Sequence, residues 1–178
     1  MKTKTVVFGG GCFWCTEAIF HEINGIISVE PGYAGGNLAD PTYDQVCSGT
    51  TGHIEVTKIE YDPDLIKFKD LLKVFFGTHD PTTLDKQGND VGSQYNSAIF
   101  YTTDEQKKES EKAIKDLKDS GIEVVTQVRP LEKFYKAEDY HKNYYLKHKD
   151  QPYCLAVIDP KLKKLRNEFG EFLKESKK

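Results

Sequence analysis

The chain has 178 residues, 38% of them hydrophobic and 30% charged, and its formal net charge is -3. This apolar content is enough for the core of one domain, so the composition excludes a disordered or low-complexity chain. Only two of the basic residues, Arg129 and Arg166, are arginines. Together with the slight acidic excess, this excludes a typical nucleic-acid-binding protein.

No apolar run reaches the roughly 18 residues that span a membrane, and we expect no membrane association. At the N-terminus, basic residues precede an apolar stretch of only Val6-Val7-Phe8, whereas a signal peptide needs roughly 7 apolar residues or more. The sequence therefore predicts a cytoplasmic protein. In such a reducing compartment, four cysteines indicate catalysis or metal binding before structural disulfides.

Strands and helices alternate along the chain. The predicted strands cover residues 3–8, 26–29, 53–61, 98–101 and 122–128, and the second is expected to end at Pro31-Gly32. The predicted helices cover residues 12–23, 68–76, 104–120 and about 160–176. In the second helix, apolar residues recur at i, i+3, i+4, i+7 and i+8, which is typical of an amphipathic helix.

Polar segments separate these elements. Residues 33–52 and 77–93 are predicted to be long loops, the first with a short helix at 43–47,. Residues 135–152 are predicted to be mostly loop with one or two helical turns. The alternation predicts one domain, residues 1–178, in which helices cover a β-sheet. Its core is expected at about residues 3–160, followed by the C-terminal amphipathic helix at about 160–176.

A predicted strand runs through Gly9-Gly10-Gly11 into a helix that begins at Cys12. Unpaired N–H groups and the positive end of the helix dipole favour a thiolate at this position, and the thiolate is the nucleophilic form of cysteine. The glycines permit close approach of a substrate and leave the sulfur uncovered. A buried core cysteine is the alternative. Because a core position would not need three preceding glycines, we interpret Cys12 as reactive.

Cys12 and Cys15 also form a C-x-x-C motif, for which two further interpretations stay open. The pair could cycle between dithiol and disulfide, as in thioredoxin-like proteins. It could also be half of a zinc site completed by Cys47 and His53 or by Cys154. Structural zinc sites normally show a second closely spaced pair of ligands, which this sequence lacks, and we expect no metal.

Other side chains could bind or protonate a substrate. Phe13 and Trp14 belong either to the core or to an apolar cup for a small group such as a methyl or thioether. Glu55 follows a flexible loop at the start of a predicted strand. A carboxylate in that position is usually solvated, but in an apolar cup its pKa would rise and it could act as a general acid near neutral pH. Tyr43 and Tyr95 could donate hydrogen bonds to a polar oxygen.

Together these residues resemble the peptide methionine sulfoxide reductase family, A type. The matching segments occur in the family's order and extend from Phe8 to about Pro160. They are Gly11-Cys12-Phe13-Trp14-Cys15-Thr16-Glu17, Gly32-Tyr33-Ala34-Gly35-Gly36, Pro41-Thr42-Tyr43, Val46-Cys47-Ser48-Gly49-Thr50-Thr51-Gly52-His53-Ile54-Glu55-Val56, His79-Asp80-Pro81-Thr82-Thr83, Gln87-Gly88-Asn89-Asp90-Val91-Gly92-Ser93-Gln94-Tyr95 and Ala137-Glu138-Asp139-Tyr140-His141. The ordered set is far more specific than the Gly-Cys-Phe-Trp motif alone.

The resemblance implies a two-layer α/β sandwich with a mixed sheet and a ferredoxin-like core, in which long functional loops surround the N-terminus of the first helix. It implies reduction of the S epimer of methionine sulfoxide, free or within proteins, to methionine, as repair of oxidative damage. Cys12 would be the nucleophile and Glu55 the acid that protonates the sulfoxide oxygen. The other residues implied at the substrate site are Phe13 and Trp14, which hold the methyl group, Tyr43 and Tyr95, which assist Glu55, and Asp90, which lines the pocket.

The resemblance also implies the later steps. Attack by Cys12 would leave a sulfenic acid, which a second thiol converts to a disulfide. Thioredoxin, as an external dithiol, would then reduce this disulfide by exchange. No metal or organic cofactor is needed, and we expect a monomer.

Two cysteines are candidates for the second thiol. Helical spacing favours Cys15, whereas the resemblance points to Cys154, on a segment able to move, and we favour Cys154. Cys47 is expected to be a plain core cysteine. Many relatives carry Gly at the position of Cys15 and Arg at the position of Asn96. We expect the second departure to affect loop anchoring and not the chemistry.

Overall fold

Six strands form one mixed sheet in the computed structural model, which describes residues 2–175. The strands in chain order are β1 (Lys4–Gly10), β2 (Ile26–Ala34), β3 (Ile54–Tyr61), β4 (Lys86–Gln87), β5 (Asp90–Val91), β6 (Ser97–Tyr101), β7 (Gln127–Pro130) and β8 (Phe134–Lys136). The order in the main sheet is β7-β6-β1-β3-β2-β8, and β4 and β5 form a separate hairpin. The pair β6 and β7 is parallel, while the other neighbouring strands are antiparallel.

Six α-helices accompany these strands in the described chain. They are α1 (Phe13–His21), α2 (Tyr43–Cys47), α3 (Phe68–Gly77), α4 (Asp104–Asp119), α5 (Tyr144–Lys147) and α6 (Asp159–Glu168). A π-helical turn, Cys154–Ile158, leads directly into α6. Within residues 2–175, no helix is both long and apolar enough to cross a membrane.

The centre of the sheet has a ferredoxin-like topology. The chain runs β1-α1-β2-β3-α3-β6, and these four strands lie in the order β6-β1-β3-β2,. β7 and β8 extend the two edges of the sheet. The predicted α/β fold, a mixed sheet covered by helices, is confirmed.

The main core lies between the sheet and helices α1, α3 and α6. Phe8 of β1 stacks on Phe75 of α3 with ring centroids 4.5 Å apart, and Leu162 and Leu165 of α6 belong to the same buried cluster. A smaller cluster that includes Val7 covers the opposite face of the sheet. Because both faces of β1 are buried from Val6 onward, the strand carries the apolar run Val6-Val7-Phe8,. Its C-terminal end therefore delivers the following residues into the interior of the protein.

β2 is longer than predicted, because Pro31 does not end it. The strand pairs with β3 through Ala34, and the Pro31 carbonyl accepts a hydrogen bond from the Ala137 N–H at 3.0 Å. In an antiparallel pair, the N–H and C=O of one residue point to the same side. The N–H that Pro31 lacks would therefore point toward the end of the short edge strand β8 and not toward β3. Its absence costs no hydrogen bond between β2 and β3. The sequence does not predict β8, since three residues are too few for a periodic pattern.

The strand expected at residues 122–128 is displaced toward the C-terminus. β7 begins at Gln127, because its parallel pairing with β6 starts at Ala98 opposite Gln127. Before that point, the Val125 N–H donates to the Pro81 carbonyl at 2.8 Å, away from the sheet. The strand boundary thus depends on a partner that lies far away in the sequence.

The helix expected at about residues 160–176 is shorter than predicted. α6 ends at Glu168, and Gly170–Phe172 forms a separate 3-10 turn. Leu173 then pairs with Ile23 in an isolated antiparallel bridge. Position 176, the predicted helix end, lies outside the described residues.

Candidate active site

The site is built around the junction between β1 and α1, where Cys12 is the N-cap residue of the helix. Gly11 has a φ of +94°, and a Cβ at this position would lie 2.5 Å from Cγ of Gln87. A Cβ at Gly9 would lie 2.9 Å from Cγ2 of Ile54. Protein groups, and not a substrate, therefore occupy the space that these two glycines leave. The expectation that the glycines leave room for a substrate is wrong for these positions.

Glu55 of β3 points toward this junction. Its side chain is 1% exposed, and its Oε1 accepts a hydrogen bond from the Phe13 N–H at 3.3 Å. Its Oε2 has no hydrogen-bond partner among residues 2–175. Burial raises the pKa of Glu55 to about 8, the charges of Asp90 and Cys15 act in the same direction, and the Phe13 N–H opposes them. Glu55 is therefore mainly a neutral carboxylic acid at neutral pH.

The Cys12 and Cys15 thiols are both buried, three residues apart at the start of α1. Burial raises the pKa of Cys12 well above its ordinary value, and the contact with Cys15 and the charge of Glu55 add to this. The neighbouring Cys12 thiol lowers the pKa of Cys15 to about 7, and burial of Cys15 opposes this shift. Cys15 is therefore the more acidic of the two thiols, whereas the sequence predicts the thiolate at Cys12. The first free N–H of α1, on Phe13, is directed to Glu55.

Tyr153 connects the thiol pair to Asp90. Its hydroxyl donates a hydrogen bond to Oδ2 of Asp90 at 2.6 Å and lies 3.7 Å from Sγ of Cys15. Asp90 belongs to the hairpin β4–β5, so this contact joins the hairpin to α1. Sequence reasoning identifies Asp90 but not Tyr153, which is one of 10 tyrosines and carries no local motif.

Aromatic rings form one wall of the site around Phe13 and Trp14. The indole Nε1–H of Trp14 donates to Nδ1 of His141 at 3.1 Å, and the Trp14 ring stacks on Tyr144 with centroids 3.7 Å apart. The His141 ring also packs against Phe13 and Tyr43, at centroid distances of 4.9 and 4.6 Å. His141, which composition alone does not identify as a site residue, is fully buried at the centre of this wall.

The two predicted phenols lie within the electrostatic reach of Glu55. Burial and the charge of Glu55 raise the pKa of Tyr43 and of Tyr95, so both hydroxyls keep their protons at neutral pH. The Tyr43 N–H donates to Oε2 of Glu138 at 3.0 Å, and the Tyr33 hydroxyl donates to Oε1 of Glu138 at 2.9 Å. Glu138 thereby fixes the start of α2 next to the aromatic wall.

The other two cysteines differ in their surroundings. Cys154 is fully buried in the π-helical turn, in the same apolar cluster as Cys12 and Cys15. Cys47 is exposed at the end of α2, where only Val46 is buried. The expectation that Cys47 is a core cysteine is wrong, because five residues of helix can bury little more than one side chain here.

His53 holds the long loop before β3. Its Nδ1 accepts a hydrogen bond from the Gly36 N–H at 3.1 Å, and its Nε2 contacts the Leu38 carbonyl at 2.7 Å. Both ring nitrogens are thus engaged by backbone groups. Over residues 2–175, no three Cys, His, Asp or Glu side chains converge as a set of metal ligands, so the zinc alternative has no ligand set in this part of the chain.

Asn96 anchors the loop that carries the hairpin β4–β5. Its Oδ1 accepts from the Asp85 N–H at 2.7 Å, and its Nδ2 donates to Oδ1 of Asp85 at 2.8 Å and to the Ser93 carbonyl at 3.0 Å.

A spacious apolar cavity of about 660 Å³ lies elsewhere, between α3 and α4, and contains none of the predicted site residues.

Comparisons with known proteins show similarity to one family over most of the chain. The profile of the family described as "Peptide methionine sulfoxide reductase" matches residues 4–173. A relative from Sulfolobus acidocaldarius, named peptide methionine sulfoxide reductase MsrA, is 53% identical over 169 residues, which cover 94% of this chain and 96% of the relative.

Solved structures are also similar. The reduced form of Mxr1 from Saccharomyces cerevisiae has a TM-score of 0.81 and 34% identity, and the match covers 86% of this chain and 90% of that chain. Mxr1 in complex with Trx2 has a TM-score of 0.57 and 26% identity, with 80% and 85% of the two chains covered. The chain therefore belongs to the peptide methionine sulfoxide reductase family, oxidoreductases that act on methionine sulfoxide.

Proposed function

We propose that this chain reduces the S epimer of methionine sulfoxide, free or within proteins, to methionine, and so repairs oxidised methionine. A sulfoxide oxygen is a poor leaving group until it is protonated, so a thiol that attacks a sulfoxide needs an acid beside it. The observation that carries the proposal is the state of Glu55. Burial keeps this carboxyl group protonated at neutral pH next to Cys12, and one of its oxygens is free of hydrogen bonds within the described chain. The restriction to one epimer rests on the resemblance to A-type enzymes, because each epimer needs its own enzyme.

In the first step the oxygen passes from the substrate to Cys12. The S–O bond of the sulfoxide breaks, methionine leaves, and Cys12 becomes a sulfenic acid; the methionine sulfur is reduced and the Cys12 sulfur is oxidised. Glu55 donates a proton to the oxygen. As the Cys12 sulfur attacks, the proton of its thiol passes to the neighbouring Cys15 sulfur.

Substrate binding follows from the surroundings of these groups. The rings of Phe13 and Trp14 supply an apolar wall for the methyl group, since thioether sulfur and methyl groups pack favourably on aromatic rings. Tyr43 and Tyr95 keep their protons and can donate hydrogen bonds to the sulfoxide oxygen,.

In the second step we propose that Cys15 attacks the sulfenic acid and forms a disulfide with Cys12. The contact between the two thiols and the pKa of Cys15, about 7, support this choice. Residues three apart on a helix also lie near the Cα separation of about 4.4 to 6.8 Å that disulfides tolerate. Cys154 lies in the same buried cluster and remains the candidate to take the disulfide over from Cys15.

The third step is reduction of the disulfide by an external dithiol of the thioredoxin type. The Mxr1 complex with Trx2 supports this reductant. The reducing equivalents come from that dithiol, and the proposed steps need no metal or organic cofactor. We propose that the chain acts as a monomer in the cytoplasm, a reducing compartment that suits its free thiols.

A single turnover without reductant tests this proposal. Reduced protein is mixed with the S or the R epimer of free methionine sulfoxide, and methionine and remaining thiols are counted. With the S epimer we expect one methionine per chain and the loss of two thiols, and with the R epimer neither. Cys12→Ser should form no methionine, whereas Cys47→Ser removes only the exposed cysteine and should react like the wild type. Methionine formation by Cys12→Ser, or equal reaction of both epimers, would refute the proposal.

A general thiol–disulfide oxidoreductase is the second candidate, since Cys12 and Cys15 are a C-x-x-C pair in contact. This activity would not need an acid beside Cys12. Glu55→Gln therefore discriminates between the two. This variant should slow sulfoxide reduction. If the chain also reduces insulin disulfides, the rate of that reaction should be the same in the variant as in the wild type.

A further inference from the structure

Lys161 of α6 is a half-buried cation without an acidic partner. It lines a small internal cavity together with Cys15, Thr16, Thr78 and His79. In the part of the chain that the structure describes, no carboxylate oxygen lies within 4.0 Å of its ammonium group. A cation on the wall of a small cavity favours a negative charge on another group that borders the same cavity.

Cys15 is the group at this cavity that can carry a negative charge. His79 cannot, and it adds no positive charge either: its Nε2 contacts Oγ of Ser97 at 2.8 Å, its Nδ1 contacts the Phe75 carbonyl, and burial lowers its pKa to about 4. The imidazole is therefore neutral at neutral pH. Cys15 is thus the group on this cavity wall whose ionisation the positive charge of Lys161 favours.

We propose that Lys161 is a positioning residue of the reaction, whose ammonium group keeps the Cys15 sulfur in the thiolate form. This inference rests on the proposed function and deepens it. The thiolate first accepts the proton of Cys12. After oxygen transfer, Cys15 attacks the sulfenic sulfur: the bond between the two sulfurs forms, the S–O bond of Cys12 breaks, and the oxygen leaves as water with the proton that Cys15 had held. The Cys15 sulfur is oxidised and the Cys12 sulfur is reduced.

The other charged or titratable groups that face Cys15 do not replace Lys161. They are Cys12 on α1, Glu55 on β3, Asp90 on β5, Tyr153 and Cys154 before α6, and His79 after α3. Among these residues of the described chain, all are neutral or acidic at neutral pH. Asp90 opposes the ionisation of Cys15, while the neighbouring Cys12 thiol and the Lys161 charge favour it.

Titration of the thiols tests the inference without any turnover. Lys161→Met removes the charge but keeps most of the side-chain length, and Lys161→Arg keeps the charge. Thiolates are followed by their ultraviolet absorbance in reduced protein, and Cys15→Ser identifies the contribution of Cys15. We expect the midpoint of Cys15 to rise by roughly one pH unit in Lys161→Met and to stay in place in Lys161→Arg. Lys164→Met, on the exposed side of α6, is the matched control and should leave the midpoint unchanged.

The rate of disulfide formation in a single turnover gives a second readout. A raised pKa lowers the thiolate fraction but makes the thiolate more nucleophilic. In Lys161→Met we therefore expect formation to be about twofold slower at pH 7, about threefold slower at pH 6 and not slower at about pH 9. Methionine is measured in the same samples to separate the two steps.

Two results would overturn the inference. One is an unchanged Cys15 midpoint in Lys161→Met. The other is disulfide formation that slows equally at all pH values, which would indicate a structural role for Lys161. Both differ from failure of the proposed function, in which wild-type protein forms no methionine from the S epimer.

Discussion

Glu55→Gln should stabilise the protein at neutral pH while it removes the acid of the proposed reaction. Glu55 is 1% exposed, and burial raises its pKa from 4.5 to about 8. The folded state therefore holds this proton more tightly than the unfolded state does. It follows that the contribution of Glu55 to stability is fully present below pH 4.5 and is lost progressively as the pH rises to about 8,.

The magnitude follows from the same two pKa values. Each unit between them corresponds to about 1.4 kcal/mol, and pH 7 lies about 2.5 units above the ordinary value of 4.5,. Ionisation of Glu55 in the unfolded chain thus lowers the free energy of unfolding by about 3 kcal/mol at pH 7. A glutamine does not titrate, and its side-chain oxygen can still accept the Phe13 N–H. We therefore expect Glu55→Gln to exceed the wild type by about 3 kcal/mol in free energy of unfolding at pH 7, and by close to zero at about pH 4.

Urea unfolding of the reduced protein between about pH 4 and pH 8 measures this difference. Glu111→Gln, on the exposed face of α4, controls for the loss of a carboxylate at the surface. In parallel, methionine formation by Glu55→Gln should fall by roughly a hundredfold or more, the usual contribution of a general acid. If the two unfolding curves keep the same separation at every pH, Glu55 is ionised in the folded protein at neutral pH and the reasoning fails.

Three further variants probe separate parts of the site. Cys15→Ser should form methionine more slowly and leave a sulfenic acid that dimedone traps. In Cys154→Ser, peptide mapping should still find the disulfide between Cys12 and Cys15. The opposite pattern would make Cys154 the resolving cysteine. Gly11→Ala should lose about 1 to 3 kcal/mol of unfolding free energy, because its φ is +94° and the new Cβ would meet a glutamine side chain,; an unfolding midpoint in urea equal to that of the wild type would contradict this. Trp14→Phe removes the hydrogen bond to His141 and should raise KM several-fold with a stability loss of about 1 kcal/mol; an unchanged KM would count against the aromatic wall as part of the substrate site.

The residues differ in how far the sequence could predict them. The position of Cys12 at the start of a helix follows from local signals, the strand, the glycines and the helical spacing that come next to it in the chain. Its ionisation does not, because the N–H of Phe13 goes to Glu55, a residue 42 positions away. Lys161 and Tyr153 approach Cys15 from α6 and the turn before it, and no short pattern in the sequence brings those segments to α1.

The alternation of strands and helices predicts the fold class for a similar reason. Each amphipathic segment, such as α3, buries one face whatever its partner is, so its existence can be inferred locally. Boundaries depend on partners. β2 continues beyond Pro31 because its neighbour on that side, β8, is short and ends at this point. α6 ends at Glu168, two residues before Gly170.

α1 controls more of the site than its first turn. Glu17 of α1 is 1% exposed, and burial raises its pKa to about 7, while the nearby backbone of Asn143 and Tyr144 acts in the opposite direction. Tyr144 is the residue that stacks on Trp14, so one helix fixes both the pair of thiols and the segment that closes the aromatic wall. In the proposed reaction, a rigid element that holds both would keep the Cys12 sulfur at a fixed distance from the aromatic wall. That distance depends on how α1 packs on the sheet, and Phe8 and Leu165, in the core cluster that includes α1, are fully buried.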